Sequence, residues 1–332
     1  MRPSVRARIP IAMLVAVSCA SPALATCGSA NCFLVTGTRE GTNDQGAFTF
    51  DLSYRYVDQS RGLEGSRETG DVLTPAIDFS NGAILPDHHR EIRTLNTLMQ
   101  LDLDYGVTGR LTLFGTIPFL NERRHEHVDD VGTPAEEFTN ADGTSGFGDV
   151  RLGMRYAAVV RPKQILVAGA ALKLPTGPYR LLDSHGEINE PTIQPGTGAF
   201  AINASIYFAY HPAPRSGEWF VSGSYQGSGR NALAYRLGNE AVVNAGFDHR
   251  AGKRATWVLQ LDSRWTRRDE FMGSDVPSTG ASTVHLTPGV RFAVSPGSVF
   301  YIFGQAPVRE RVNETQLAPR GGVIFGVSKT FD

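Results

Sequence analysis

From residue 48 onward the chain repeats one pattern: apolar and polar residues alternate with a period of two. Phe48, Phe50, Leu52, Tyr54 and Tyr56 alternate with Thr49, Asp51, Ser53 and Arg55. Leu95, Met99, Leu101, Leu103 and Tyr105 alternate with Asn96, Gln100, Asp102 and Asp104. Val150, Leu152, Met154 and Tyr156 do so with Arg151, Gly153 and Arg155, and Trp257, Leu259, Leu261 and Trp265 with Gln260, Asp262 and Arg264. Near the end Val323, Phe325, Val327 and Phe331 share one face. Successive side chains of an extended strand point to opposite faces, so these runs predict two-faced strands rather than helices.

The connections between the runs constrain the fold further. They alternate long and short along the chain. Residues 60–92, 121–146, 175–198, 227–240, 267–282 and 308–320 read as long connections. Residues 106–110, 161–163, 211–217, 249–254 and 295–298 read as short ones. Together they predict about twelve strands, each with the ~9–11 residues that a tilted strand needs to cross a bilayer. Even strand number and segregated loop length are properties of a bacterial outer-membrane barrel, with short periplasmic turns and long external loops. A soluble sandwich has no reason to segregate them. The expected fold is therefore all-β, a transmembrane antiparallel up-and-down β-barrel over residues 46–332. Aromatic residues near strand ends, among them Tyr105, Tyr156, Trp219 and Trp257, fit interfacial girdles. No stretch after residue 25 is long and apolar enough for a spanning helix.

The first 25 residues read as an export signal. Arg2, Arg6 and Arg8 precede an apolar core from Ile9 to Val17, and Ala23-Leu24-Ala25 is a small-x-small cleavage site. Residues 26–45 would then form a periplasmic segment that can tuck into the lumen. Cleavage leaves Cys27 and Cys32, and an even pair at short spacing in an oxidising compartment predicts a disulfide. Acylation of Cys27 is the rival, on a weak lipobox. The 32 basic and 33 acidic side chains show no concentrated basic patch, which argues against a nucleic-acid partner.

Charged residues on the polar face are expected to point into the lumen, because an Arg at the lipid midplane costs roughly 2–4 kcal/mol. Arg55, Asp102, Arg151, Arg155, Asp262 and Arg264 are the candidate lumen-lining residues. An outer-membrane enzyme is the main rival. A phospholipase-like barrel needs a His and a Ser two apart on one strand with an orienting partner. His285-Leu286-Thr287 offers Thr instead, with no partner visible in the sequence. Metal binding is the second rival. His88-His89 and His125-Glu126-His127, with Asp87, Glu91, Glu122, Asp129 and Asp130 nearby, sit in predicted long loops and match no closed ligand spacing. Gly146-x-Gly148 and Gly196-x-Gly198 lack the following helix of a phosphate loop. No catalytic, cofactor-binding or metal-binding residue is therefore assigned.

Several local motifs carry a resemblance. Gly146-Phe147-Gly148-Asp149-Val150-Arg151-Leu152-Gly153 opens a strand, Lys173-Leu174-Pro175-Thr176-Gly177 closes the next, and Gln194-Pro195-Gly196-Thr197-Gly198 opens the one after. Phe303-Gly304-Gln305-Ala306-Pro307-Val308, Gln316-Leu317-Ala318-Pro319 and the last strand follow in the same order. Over roughly residues 95–332 the chain resembles the outer-membrane family labelled MetA-pathway of phenol degradation. The resemblance implies a channel or transport barrel for small, aromatic or hydrophobic solutes, and it transfers no catalytic residues. The expected partners are outer-membrane lipid, a small solute and, through the C-terminal strand, the barrel assembly machinery. That strand resembles the terminal signature of outer-membrane proteins, with Asp332 following Phe331.

Overall fold

A computed structural model describes residues 41–213 and 217–332. Residues 1–25, Cys27 and Cys32 lie outside the described residues, and so does most of the segment 26–45. The described residues contain no helix. Twelve strands form the wall: β1 (Phe48–Glu64), β2 (Ala83–Thr108), β3 (Leu111–Asp129), β4 (Arg151–Arg161), β5 (Gln164–Lys173) and β6 (Ala201–Tyr210), then β7 (Glu218–Ser228), β8 (Glu240–Ala251), β9 (Ala255–Thr266), β10 (Ala281–Ser295), β11 (Ser298–Val312) and β12 (Thr315–Phe331). Each strand pairs antiparallel with the next, and β1 pairs with both β2 and β12. The sheet is thus closed, which removes the edges an open sheet would present.

The expected short turns that lie wholly within the described residues are turns, but the long connections contain much more strand than their polarity announces. β2 has 26 residues and begins at Ala83, and β3 continues to Asp129. β5 and β6 have 10 residues each. The wall is therefore tall on one side and low on the other. Residues 308–320 are a hairpin rather than a loop, since β11 ends at Val312 and β12 starts at Thr315. The reason is that a strand extending beyond the bilayer needs no apolar face. Its sequence can be polar on both sides and still pair.

Burial follows the alternation. On β1, Phe48, Phe50 and Leu52 are exposed while Thr49, Asp51 and Ser53 are buried. Leu152, Met154, Leu259, Leu261, Val221 and Val327 are likewise exposed. An all-round band of exposed apolar side chains is costly in water and favourable in lipid. The inner side is polar with an apolar belt. Phe220, Phe303, Tyr301, Val258 and Ile324 pack there with residues of neighbouring strands. Two glycines make room for the large rings. A Cβ at Gly289 would sit 2.0 Å from the Phe303 ring, and one at Gly246 would sit 2.3 Å from that of Phe220.

A β-bulge decides what faces inward at the top of β3. Met99 pairs with Leu120 but Gln100 pairs with Pro118, so Phe119 is the extra residue. A side-chain period of two is inverted by one inserted residue. Below the bulge Thr112 is buried, and above it Asn121, Arg123, His125, His127 and Asp129 are.

Candidate functional site

The six charged residues picked out by their alternation occupy the side of their strands opposite the exposed apolar rows. Arg55 lies between Ser53 and Val57 on β1, with buried Leu98 and Ile324 as its cross-strand neighbours. Asp102 accepts hydrogen bonds from Thr116 at 2.7 Å and Gln100 at 2.8 Å. Arg155 donates to Asp104 at 2.5 Å and stacks over Phe114 at 5.0 Å. Arg151 donates to Gln226 at 3.3 Å. Arg264 forms a buried pair with Glu240, Nε to Oε2 at 2.8 Å. Asp262 accepts from Thr287 at 2.5 Å and also from Gln260. Arg291 adds a further pair, to Asp248 at 2.5 Å. Interior charges are costly unless paired or hydrogen-bonded, and most of these are held that way.

The two ends of the lumen differ. At the short-turn end a cavity of about 900 Å³ is bordered by His211, Glu218, Asp248, Arg250, Arg254 and Arg291. At the long-loop end the segment 174–200 folds over the lumen, and a cavity of about 80 Å³ remains beside Arg151 and Lys173. From the other side residues 43–47 approach the wall. Asn43 donates to Thr49 Oγ1 at 2.9 Å and its backbone N–H to Thr112 Oγ1 at 2.8 Å.

The loop segment 174–200 is tied down by the Gly, Pro and Thr punctuation of the sequence. Asp149 is the hub: Lys173 Nζ donates to it at 2.7 Å, the Thr197 N–H at 3.0 Å and the Gly177 N–H at 3.1 Å. The Thr176 hydroxyl donates to Gly148 O at 3.0 Å and accepts from Val150 N at 2.8 Å. Gly177 and Gly196 touch so closely that a Cβ at Gly196 would lie 2.4 Å from Gly177 O. The three Gly-rich motifs, read from sequence as strand punctuation, are thus one knot. A single Asp following Gly-x-Gly was the available signal. Its partners lie 24 to 48 residues away, which no local pattern reveals.

The histidines require a correction. His88 and His89 lie on β2, and His125 and His127 on β3, rather than in loops. The two strands pair, so the groups meet: ring centroids are 4.6 Å apart for His88 and His89, 5.0 Å for His89 and His127, and 4.5 Å for His125 and His127. Asp129, read as an ordinary loop acid, ends β3 and stands 2.5 Å from His89 Nδ1 and 3.1 Å from His127 Nε2. Asp142 and Glu190, absent from the sequence reading, approach from two loops. Asp87 has left-handed backbone, φ 53°, at the edge of this region. Glu122 is engaged elsewhere, accepting from Thr97 at 2.9 Å. The cluster lies well beyond the ~9–11 residues that cross the bilayer. Burial opposes charge on His89, but the Asp129 hydrogen bond and the nearby Glu190 carboxylate outweigh it and lift its pKa to about 9. Burial dominates for His125, which falls to about 4.

His285-Leu286-Thr287 gains a neighbour that sequence could not show, but not a catalytic arrangement. Thr287 is fully buried and gives its hydroxyl to Asp262. His285 Nε2 faces Glu310 at 3.8 Å. A nucleophile activated by a base needs the hydroxyl within hydrogen-bond reach of the imidazole, and here it is committed to a carboxylate.

Comparison with known proteins fixes the family. The profile described as "Putative MetA-pathway of phenol degradation" matches residues 89–313. The chain belongs to this family of outer-membrane β-barrels. No curated protein matches it in sequence. Among solved structures, the COG4313 outer membrane channel from Pseudomonas putida F1 superposes with a TM-score of 0.64 at 13% identity, covering 90% of this chain and 100% of that one. The Ralstonia pickettii toluene transporter TbuX reaches a TM-score of 0.42 at 12% identity, covering 88% of this chain and 90% of that one. The β domain of the Bordetella autotransporter BrkA reaches 0.44 at 11% identity, covering 86% and 100%. The first of the three shares the fold over 90% of this chain. The protein resides in the bacterial outer membrane, its apolar band in the lipid.

Proposed function

We propose that this barrel lets a small solute, aromatic or hydrophobic in character, cross the outer membrane passively, and that it is not an enzyme. The supporting observation is the inner wall. Arg55, Asp102, Arg151, Arg155, Asp262 and Arg264 lie on the side of the closed wall opposite the exposed apolar rows, and a cavity of about 900 Å³, bordered by Asp248 and Arg291 among others, opens at one end; both support a path lined by these charges. The family description, phenol degradation, supplies the aromatic character. In this reading the long loops face the exterior and both ends of the barrel sequence face the periplasm. The terminal strand β12, zipped along β1, is the segment offered to the assembly machinery.

The test is a flux assay in proteoliposomes, comparing phenol-sized aromatics with sugars of similar mass. Faster entry of the aromatic than through protein-free vesicles, with little gain for the sugar, is expected. Equal entry with and without protein for every solute would leave the barrel a structural element.

A further inference from the structure

We propose that the outer mouth binds a divalent transition cation of the Zn²⁺ or Cu²⁺ kind, held by His127, Asp129 and Asp142. The argument does not depend on the solute. It starts from ligand type: imidazole nitrogen with carboxylate oxygen is a donor set that suits these borderline ions. One ligand atom from each of the three residues lies within 4.8 Å of the others, and all three residues are buried. His127 Nε2 stands 3.1 Å from Asp129 Oδ2 and 3.5 Å from Asp142 Oδ2. An ion bonded at about 2.0–2.2 Å to each needs only small side-chain adjustments.

The surroundings hold the ligands as a metal site's outer partners do. The Ser184 N–H donates to Asp142 Oδ1 at 2.7 Å, leaving Oδ2 toward His127. A second triad repeats the design on the adjoining residues. Glu91, His125 and Glu190 also gather within 4.8 Å. Thr74 holds Glu91 Oε1 at 2.9 Å, and Thr94 engages His125 Nδ1 at 2.9 Å, which turns Nε2 toward the carboxylates. That Nε2 makes no hydrogen bond, on a residue only 2% exposed, and stands 3.4 Å from Glu91 Oε2; Glu190 Oε1 makes none either and stands 3.9 Å from His89 Nε2. Buried polar atoms are satisfied in the great majority of cases. Imidazole nitrogens and carboxylate oxygens that face one another without a hydrogen bond mark a site shaped for a cation. Ordinary solvated loop residues would not be buried or braced in this way.

The consequence is mechanical. His127 and Asp129 belong to the wall, while Asp142 belongs to the connection between β3 and β4. Asn189 donates to Asp142 O at 2.6 Å, so the overlying loop 174–200 is attached to the same point. One ion would staple both loops to the rim.

The test uses the full-length barrel in detergent, stripped with a chelator and titrated with Co²⁺ by visible absorbance and with Zn²⁺ by calorimetry. Saturable binding with intense d–d bands is expected. His127→Ala and Asp142→Asn should each weaken Zn²⁺ binding tenfold or more, and His249→Ala, on the opposite rim, should leave it unchanged. Heat-modifiable gel mobility verifies that each variant is still a closed barrel. Zn²⁺ should also slow proteolysis between residues 130 and 143 in the wild-type protein. Wild-type binding no tighter than that of His127→Ala, or a Co²⁺ spectrum identical to the aqueous ion, would overturn the site.

Discussion

The two mouths of the barrel are made from the same twelve strands and behave as opposites. At the short-turn rim the chain reverses within a few residues, and exposed Arg250, Lys253 and Arg254 border a roomy cavity. At the other rim the strands overshoot the bilayer, and the loops bind one another through Asp149, through the His and carboxylate cluster, and through a small apolar cluster of Tyr235, Phe271 and Val276. Tyr235 donates its hydroxyl to buried Asp269 at 2.7 Å. The lesson is about where a barrel stores order. The wall closes strand by strand on backbone pairing, while one rim adds polar tertiary contacts between its loops.

That contrast can be broken most severely at Asp149. Replacing it by Ala strands Lys173, whose side chain is 11% exposed, and releases the Gly177 and Thr197 amides. Removing one partner of a buried pair costs about 3–5 kcal/mol. Asp149→Ala should therefore free segment 174–200, seen as new protease cuts in that segment and a several-fold rise in single-channel conductance. Cleavage and conductance like the wild type would show that Asp149 does not close the outer rim.

A smaller effect is expected inside the wall, away from either mouth. Gly289→Ala drives a methyl group into the Phe303 ring. Overpacking of this kind costs about 1–3 kcal/mol. The barrel should unfold at lower denaturant concentration with its conductance little changed. A normal midpoint would mean that Phe303 has another place to go.

The smallest effect belongs to the exposed surface of the outer rim. Arg268 donates to Glu314 at 2.8 Å, but Glu314 is 47% exposed. Exposed pairs contribute up to about 1 kcal/mol. Arg268→Ala should shift stability by less than that and leave both proteolysis and conductance alone. A large loss would show that this pair, too, belongs to the closure.

Much of this was legible in the sequence, for a definable reason. In the bilayer one face of each strand must be apolar, so the period of two in Phe48–Tyr56 or Trp257–Trp265 reports both strand and facing. Beyond the bilayer that constraint lapses. The segment Asn121–Asp130 is polar on both faces, reads as loop, and is strand as far as Asp129. Counting by twos also cannot see the extra residue at Phe119, which turns His125 and His127 inward. Aromatic residues on a face expected to be polar, such as Phe303, are visible only once Gly289 is found beneath the ring. Asp142 and Glu190 carry no local signal at all, because their partners are distant in sequence.

The central claim is that the inward charges line the path of the solute. The most direct measurement is the reversal potential across a planar bilayer in a salt gradient, for the wild-type barrel and for the double variant Arg151→Glu, Arg155→Glu. With these two arginines beside the path, the variant should shift its selectivity toward cations. An unchanged reversal potential, in a variant that still forms a closed barrel, would contradict the account.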